Sequence, residues 1–436
     1  MAYDFRTLNY LGSKLRLLDF IEENVRKVTP NDTGVCDLFA GSGCVSYKLS
    51  MLFPVVACDI QHYSKVICDA LLQPSTLTEE TIKAFMSEIK DSKSLLRDVF
   101  TPLIRLEEKA IRNENLELLT DIVEHGSLEV NNLEKEESQI SPVQNQIYEK
   151  LRKAGLIGKK SLISRYYGGV YFSYSQAVQL DVIMDSIRHY PNTTDKNVLL
   201  AALLSTTSDI ACTVGKHFAQ PIKARDSKGK IKKLVYNKAI KDKTIDVSAL
   251  FEDWLRKYVS LPMGKYNNTI LQGDYMECLK TLPDSVKTIY ADPPYTRDHY
   301  SRFYHVLETI ALDDVPEIST VKIHGSTHVS NGIYRKVRHQ SPFCIRSKAP
   351  KAFEDMFKFI SESNRNLLLS YSPYDVTKKS HPRVVTISQL ITWVNKYFYH
   401  VEVVSAGHFT HNKLNSTEHF LESSDEAEIL IVCTNN

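Results

Sequence analysis

A short apolar run that stops at two prolines constrains the fold of this chain more than any other feature. The run Val286-Lys287-Thr288-Ile289-Tyr290-Ala291 is apolar and β-branched, which predicts a buried strand, and Asp292-Pro293-Pro294-Tyr295 follows it directly. Prolines end the strand in a stiff, extended backbone whose carbonyls remain available as acceptors. A carboxylate, fixed carbonyls and an aromatic ring at one strand end suit an exocyclic amino group on a planar base. A plain Asp-Pro turn between a strand and a helix explains the same residues and stays open at this point.

A second strand, followed by a glycine turn, lies near the N-terminus in Val35-Cys36-Asp37-Leu38-Phe39-Ala40-Gly41-Ser42-Gly43. Gly41 and Gly43 permit close approach of the backbone to a ligand, and the helix predicted from Val45 to Leu52 presents its N-terminus there. A lone G-x-G is weak evidence, and the Lys-Ser/Thr pair of a phosphate loop does not follow it. Asp37 is the unusual residue, since an acid at a buried strand end needs a partner.

Two more predicted strands end at or beside an acid. Val55-Val56-Ala57-Cys58-Asp59 places Asp59 where the ribose hydroxyls of a nucleoside are bound in parallel sheets, and Thr269-Ile270-Leu271-Gln272 precedes Asp274. Each acid also fits a helix N-cap, and the sequence alone does not separate the two roles. Because the carboxyl ends of parallel strands meet at one edge, we expect four acids to converge there: Asp37, Asp59, Asp274 and Asp292.

Five motifs occur in a fixed order along the chain: Asn9-Tyr10-Leu11-Gly12-Ser13-Lys14, Asp37 to Gly43, Asp59, Gln272-Gly273-Asp274-Tyr275 and Asp292-Pro293-Pro294-Tyr295. This order resembles the α-group of DNA amino-methyltransferases, the adenine-specific enzymes related to the bacterial Dam methylases. Tyr10 stands where that family often has Trp, which keeps an aromatic ring. The resemblance covers roughly the first sixty residues and everything from about residue 268 onward, and it says little about the middle.

The resemblance implies an α/β fold, namely a seven-stranded, mostly parallel sheet of the S-adenosylmethionine-dependent methyltransferase type with a largely helical inserted domain. It implies S-adenosyl-L-methionine as the methyl donor and no metal, with catalysis by Asp292, Pro293, Pro294 and Tyr295. Lys14 is implied as a cofactor contact, although a solvated helix lysine is an equally good explanation. The residues predicted to bind the cofactor are Tyr10, Lys14, Asp37, Phe39, Gly41, Gly43, Asp59, Asp274, Tyr275 and Asp292.

The same pattern predicts two domains. Strands over 367–371, 401–404 and 429–432 complete the seven, so residues 1–62 and 265–436 are assigned to a discontinuous catalytic domain. Residues 63–264 form an inserted, mainly helical target-recognition region. The aromatic stretch 166–174 fits base stacking, but a glycine turn packed in a core is the commoner arrangement. Helices are predicted over 75–90, 94–124, 133–153, 176–188, 196–208 and 297–310.

Basic residues cluster locally although the formal net charge is only +2. Residues 221–243 contain nine Lys or Arg against two acids, and residues 319–353 contain seven and no acid. Interleaved aromatic and polar groups make both stretches candidates for tracking phosphates, with a solvated loop as the ordinary alternative. The predicted DNA-binding residues are Lys223, Arg225, Lys232, Lys233, Lys322, Arg335, Lys336, Arg338, Arg346 and Lys348.

The eight cysteines show neither a C-x-x-C pair nor zinc spacing, and we expect them to be reduced, buried thiols of a cytoplasmic protein. A prokaryotic or phage setting suits this expectation. The N-terminus lacks the pattern of a signal peptide, and no apolar run approaches membrane-spanning length.

The sequence therefore predicts a site-specific methyltransferase that acts on N6 of adenine in double-stranded DNA by base flipping. We expect it to belong to a restriction-modification or related DNA-marking system, with a cognate restriction endonuclease as a candidate partner. Three alternatives stay open: an N4-cytosine DNA methyltransferase, an RNA base methyltransferase and a non-catalytic DNA-binding protein. The first differs in its usual tetrapeptide, which begins with Ser, and the last would not need four acids at strand ends.

Overall fold

The computed structural model describes residues 5–91, 94–135, 137–297, 299–323, 325–372, 383–406 and 428–435. The chain divides into two compact units. The first, here called the sheet unit, is built from Met1–Pro74, Pro262–Ser301 and His339–Asn436. The second, the helical unit, is built from Ser75–Leu261 and Arg302–Arg338.

The described residues form a seven-stranded sheet and one separate hairpin. The strands are β1 (Gly34–Asp37), β2 (Val55–Asp59), β3 (Thr269–Gln272), β4 (Val286–Ala291), β5 (Thr320–Ile323), β6 (Ser326–Val329), β7 (Asn366–Tyr371), β8 (His400–Ser405) and β9 (Ile429–Thr434). The sheet has the order β3-β2-β1-β4-β7-β9-β8, and only β9 runs antiparallel to its neighbours. This confirms the predicted mostly parallel, seven-stranded α/β sheet with its antiparallel final pair. The β5–β6 hairpin of the helical unit was not predicted.

The central strands are apolar on both faces because helices cover both sides of the sheet. Val35 and Tyr290 pack with α1 (Leu18–Val28) and α2 (Cys44–Ser50) on one face, whereas Cys36 and Ile289 pack with α17 (Ala349–Glu362) on the other. The helices are α1 (Leu18–Val28), α2 (Cys44–Ser50), α3 (His62–Leu72), α4 (Glu79–Asp91), α5 (Leu95–Arg112), α6 (Leu116–His125), α7 (Leu128–Glu134), α8 (Ser141–Lys153), α9 (Leu162–Tyr167), α10 (Tyr174–His189), α11 (Thr193–Ile210), α12 (Leu234–Lys243), α13 (Val247–Val259), α14 (Tyr275–Thr281), α15 (Tyr300–Phe303), α16 (His305–Leu312), α17 (Ala349–Glu362) and α18 (Ile387–Val394). None of the helices in the described ranges is both long and apolar enough to cross a membrane.

Three long predicted helices are broken in the structure. The stretch 94–124 divides into α5 and α6, because Glu114 adopts a positive φ of 52° and Asn115 caps the second helix. The stretch 133–153 contains the end of α7 and all of α8, and the stretch 297–310 contains α15 and most of α16. The aromatic stretch 166–174 packs inside the helical unit, where Tyr167, Tyr171 and Tyr174 are fully buried. That is the commoner of the two arrangements considered from the sequence.

The segment Arg302–Arg338 lies in the helical unit, whereas the sequence assigned it to the catalytic domain. Long-range packing explains the difference. The Phe303 ring lies 4.6 Å from the ring of His217, the Phe303 carbonyl accepts from the amide of Phe218, and His305 is buried beside Tyr171. No local sequence pattern reveals contacts between residues so far apart in the chain.

Cys58 and Cys278 form a disulfide, which corrects the expectation that all eight cysteines are reduced. Cys58 lies near the end of β2 and Cys278 on α14, so the two side chains meet although 220 residues separate them in sequence. The other six cysteines are free and buried.

Candidate functional site

A cavity in the sheet unit lies at the carboxyl ends of β1, β2 and β4, with the residue after β3 in its wall. This is the edge where parallel sheets bind their ligands. The structure brings ten of the predicted site residues to its lining: Tyr10, Lys14, Phe39, Asp59, Asp274, Tyr275, Asp292, Pro293, Pro294 and Tyr295.

The glycine turn shapes this cavity without lining it. Gly41 and Gly43 have φ angles of +53° and +72°, a backbone region that other residues adopt at a cost. A Cβ on Gly41 would lie 2.7 Å from the hydroxyl oxygen of Tyr10, so the absent side chain makes room for that ring. A Cβ on Gly43 would lie 2.8 Å from a methyl carbon of Leu71. The close approach predicted for a ligand is therefore used by the protein's own side chains.

Asp59 ties the glycine turn to the loop after β2. One carboxylate oxygen accepts from the Gly41 amide at 2.9 Å and the other accepts from the Gln61 amide at 2.8 Å. Helix α3 begins three residues later, at His62, with Gln61 as its N-cap residue, so Asp59 is not the N-cap that the sequence left open. A carboxylate oxygen can accept more than one hydrogen bond, so Asp59 is able to receive hydroxyl groups from the cavity as well.

Asp37 is not among the residues that line the cavity, so its contact with the cofactor stays a prediction. Its side chain points into the sheet unit, where one oxygen accepts from the Ser46 hydroxyl at 2.6 Å. No donor within the described residues reaches its other oxygen. Burial raises the pKa of Asp37 to about 7, although the Ser46 hydrogen bond opposes this shift. Its observed contact is local and holds the start of α2.

Asp274 is the N-cap residue of α14, and its contact with a ligand stays a prediction. It caps α14 through a bond to the Met276 amide and forms a capping box with Glu277, and it also lines the cavity. The adjacent Tyr275 stacks on Phe39 with ring centres 6.1 Å apart. Phe39 also meets Phe343 edge-on at 5.5 Å, so this wall of the cavity is aromatic.

The carboxylate of Asp292 forms an ion pair with Lys14. The distance from Lys14 Nζ to Asp292 Oδ2 is 3.0 Å, and the same ammonium lies 3.3 Å from Glu428 Oε1. Burial disfavours the charged lysine, but the two acids outweigh burial and raise the pKa of Lys14 well above its usual range. Burial also raises the pKa of Asp292, while Lys14 works against that shift. Lys14 is therefore a buried partner of the site and not a solvated helix lysine.

Tyr295 is held in a fixed orientation behind the two prolines. The guanidinium of Arg383 lies 4.5 Å from the Tyr295 ring centre, and the Tyr371 ring lies 4.8 Å away at a tilt of 50°. The Val384 amide donates to the Tyr295 carbonyl at 3.1 Å, which fixes the backbone. The Pro294 carbonyl accepts a hydrogen bond from the Cys344 thiol.

The predicted DNA-binding residues differ in exposure. In the helical unit Lys223, Arg225, Lys233 and Lys322 are exposed and Lys232 is half-buried, and in the sheet unit Arg346 and Lys348 are exposed. Arg335 is a correction, because it is buried and its guanidinium forms a double ion pair with Asp314 at 2.5 and 2.6 Å. Lys336 is exposed but paired with Glu317 at 2.5 Å.

Arg338, the last predicted DNA contact, is half-buried over the Tyr334 ring, 5.0 Å from its centre. Its Nε has no acceptor among the described residues. The cation therefore has a packing partner in the protein and reaches solvent only in part.

Sequence reasoning missed Glu428 and Arg383. Both lie in the last sixth of the chain, beyond the five motifs. Glu428 carries a usable signal, since it is an acid directly before the apolar run of β9. The rule that a site acid follows its strand holds for parallel strands and overlooks an antiparallel one, whose first residue lies at that edge. For Arg383 the sequence has no such signal, because its neighbour Tyr295 is 88 residues away.

Comparison with known proteins agrees with the five motifs. Residues 10–157 and 216–368 match the model of the D12 class N6 adenine-specific DNA methyltransferases. Modification methylase LlaI of Lactococcus lactis subsp. lactis is 26% identical over 375 residues, which cover 84% of this chain and 46% of that protein. Type II methyltransferase M.FokI of Planomicrobium okeanokoites is 25% identical over 84% of this chain and 44% of its own length.

Type II methyltransferase M.NlaIII of Neisseria lactamica is 23% identical over 83% of this chain and 85% of its own length. The chain thus spans about half the length of the first two relatives and most of the third. The family model covers well over half of the chain, and it confirms the resemblance inferred from the order of the motifs. The chain belongs to the family of D12 class N6 adenine-specific DNA methyltransferases.

Proposed function

We propose that this protein transfers a methyl group from S-adenosyl-L-methionine to N6 of adenine in duplex DNA. The observation that carries the proposal is the arrangement at the end of β4. There Asp292, the proline carbonyls and the Tyr295 ring line the same cavity as Asp59 and Phe39. One cavity therefore offers hydrogen-bond acceptors and an aromatic face for a base beside an acid and an aromatic wall for a nucleoside.

The residues of the cavity fit the proposed cofactor by their chemistry. S-adenosyl-L-methionine supplies an activated methyl group on a sulfonium, together with an ammonium and a ribose. Asp59 would receive the ribose hydroxyls, and the Phe39 and Tyr275 rings would cover apolar surface of the nucleoside. Tyr10 and Asp274 would complete the binding site, and the buried acid pair around Lys14 leaves negative charge for the cationic end.

The chain's own groups would prepare the target nitrogen. Asp292 and the Pro293 carbonyl would accept the two N6 hydrogens, because no donor among the described residues reaches that carbonyl oxygen. Two acceptors on one amino group draw the nitrogen toward tetrahedral geometry and localise its lone pair for attack on the methyl carbon. Tyr295 would stack on the base, which has to leave the duplex to reach the cavity.

The base also needs room over the Tyr295 ring, and Arg383 bears on this point. Its guanidinium lies over one face of the Tyr295 ring, 4.5 Å from the ring centre, and so occupies space in which a base could stack. The entering base would either take the opposite ring face or displace the guanidinium. Arg383 would in both cases border the base.

Exposed cations supply the proposed phosphate contacts. The best candidates in the helical unit are Lys223, Lys233 and Lys322, which are exposed, together with Arg225, which also pairs with Glu124 at 3.1 Å. In the sheet unit Arg346 and Lys348 are exposed. Arg335 leaves the set because its charge is neutralised inside the helical unit by Asp314. We also propose that the helical unit is the target-recognition region.

The relatives suggest the biological setting. Their names describe a modification methylase and type II methyltransferases, so we place this chain in a restriction-modification or related DNA-marking system. A cognate restriction endonuclease is the partner proposed for it. Its substrate would be the DNA of a prokaryotic or phage-infected cytoplasm.

Sequencing of native DNA from cells that express the chain tests this function. The expected result is N6-methyladenine at one short sequence, absent from cells that express Asp292→Ala. Methylated cytosine at N4 would favour the first alternative. Modification confined to RNA would favour the second, and cofactor-independent DNA binding without any modification would favour the third.

A further inference from the structure

The antiparallel strand β9 brings an additional acid to the site. Parallel strands present their last residues at the cavity edge, whereas an antiparallel strand presents its first residue there. Ile429, the first residue of β9, pairs with Tyr371, the last residue of β7. Glu428, which directly precedes β9, therefore lies at the edge that carries Asp292 after β4.

The contacts of Glu428 lead to Asp292 through one lysine. Glu428 Oε1 accepts from the Ser370 hydroxyl at 2.8 Å and lies 3.3 Å from Lys14 Nζ. The same Nζ lies 3.0 Å from Asp292 Oδ2. The side chains of Glu428 and Lys14 are 1% and 6% exposed, so their charges interact with little screening by solvent.

The charge of this group exceeds what one ion pair needs. A single ammonium lies between two carboxylates, so the three residues together carry one net negative charge when both acids are ionised. A buried acid that only neutralised Lys14 would be redundant, because Asp292 already pairs with it. With Glu428 present, the single positive charge of Lys14 is shared by two carboxylates, so part of the negative charge of Asp292 is not neutralised.

We propose that Glu428 is a positioning residue for methyl transfer, which shares Lys14 with Asp292 and so gives the three-residue cluster a net negative charge beside the reacting amino group. This inference rests on the proposed function. During transfer the nitrogen lone pair forms the new N–C bond, and the S–C bond breaks with its electron pair going to sulfur. The nitrogen carries the positive charge until one of its protons passes to Asp292 and on to water. A net negative cluster stabilises that developing charge, and a neutral one does not.

The test compares Glu428→Gln, Lys14→Met and the double variant in a methyl-transfer assay at saturating cofactor and over a range of DNA concentrations. Glu428→Gln leaves Lys14 wholly to Asp292, and we expect kcat to fall about 10- to 100-fold with little change in the KM for DNA. The double variant restores one negative charge, on Asp292 alone. Its kcat should therefore exceed that of Glu428→Gln and approach the wild-type value to within about tenfold. Such recovery is what a merely structural role of Glu428 would not produce.

Two further variants keep the test decisive. Glu402→Gln removes an exposed acid from the neighbouring strand β8 and should behave as wild type. Glu428→Asp retains the charge and should recover part of the lost kcat if the Gln variant folds poorly, which thermal unfolding reports. A Glu428→Gln enzyme with wild-type kcat, or a double variant whose loss is the product of the two single losses, overturns this inference alone. A wild-type protein that methylates no DNA adenine overturns both the inference and the proposed function.

Discussion

Replacement of Asp59 by Ala tests whether the acid after β2 binds the cofactor or only ties the glycine turn. The substitution removes two charge-assisted hydrogen bonds, to the Gly41 amide at 2.9 Å and the Gln61 amide at 2.8 Å. It also removes the acceptors proposed for the ribose hydroxyls. These are two separable effects, one on folding and one on binding.

The two effects differ in size and in the measurement that detects them. A hydrogen bond to a charged group contributes about 1.5–3 kcal/mol, so one lost ribose contact should weaken binding by roughly 10- to 150-fold. The two backbone bonds are at a half-buried position, and water replaces part of their energy. We expect the free energy of unfolding to fall by about 1–3 kcal/mol. Calorimetric titration with S-adenosyl-L-methionine gives the first quantity, and urea unfolding gives the second.

Ser46→Ala is the matched control, because it removes the hydrogen bond to Asp37 at 2.6 Å without touching the cavity. It should lower stability and leave cofactor affinity unchanged. Asp59→Asn retains one carbonyl acceptor and should give intermediate values for both quantities. If Asp59→Ala binds the cofactor as tightly as wild type while losing stability, Asp59 only ties the turn, and its proposed binding role is wrong.

Asp292→Ala should abolish methyl transfer while the protein still unfolds cooperatively, because its hydrogen bonds act mainly in the transition state; appreciable residual kcat would refute this mechanism. Lys223→Ala with Lys233→Ala should reduce the slope of log binding constant against log salt by up to about 1.8, at about 0.9 per phosphate, and an unchanged slope would make both lysines solvent-exposed only. Arg335→Ala should leave that slope as in wild type and lower the free energy of unfolding by about 2–4 kcal/mol, since it removes a buried arginine that pairs with the half-exposed Asp314; a changed slope would return Arg335 to the DNA-binding set. The folded-state pKa of Asp37 is raised to about 7, so its contribution to stability is present below about pH 4 and is lost as pH rises toward 7. Asp37→Asn should therefore be more stable than wild type at pH 8 but not at pH 4. If urea unfolding gives the variant and wild type the same free energy of unfolding at both pH values, the raised pKa of Asp37 is contradicted.

The sheet was predictable because its strands carry strong local signals. The bounds of β3 and β4 agree with the sequence to the residue, since each is an apolar run that ends at a turn or at proline. The helical unit was less predictable. Its helices break at residues such as Glu114, a residue type that favours helices but here adopts a positive φ just after the end of α5, and the exposed β5–β6 hairpin offers no buried face to recognise.

The site was predictable where it follows the parallel strands and not elsewhere. Asp59 and Asp292 were found because a parallel strand places the next residue at the cavity edge. Glu428 escaped this rule because β9 is reversed. Arg335 was assigned to DNA because charge composition shows the cation and not its partner, Asp314, which lies 21 residues earlier and neutralises it.

The helical unit is assembled from two separate stretches of chain, Ser75–Leu261 and Arg302–Arg338, and the packing of each depends on the other. The second stretch contributes Phe303 and His305, whose buried partners, His217 and Phe218, all come from the first. A chimera that exchanged only the longer stretch with a relative would leave these rings against foreign surfaces. We therefore expect an exchange of both stretches together to preserve the packing of the helical unit, and an exchange of one stretch alone to lower its stability.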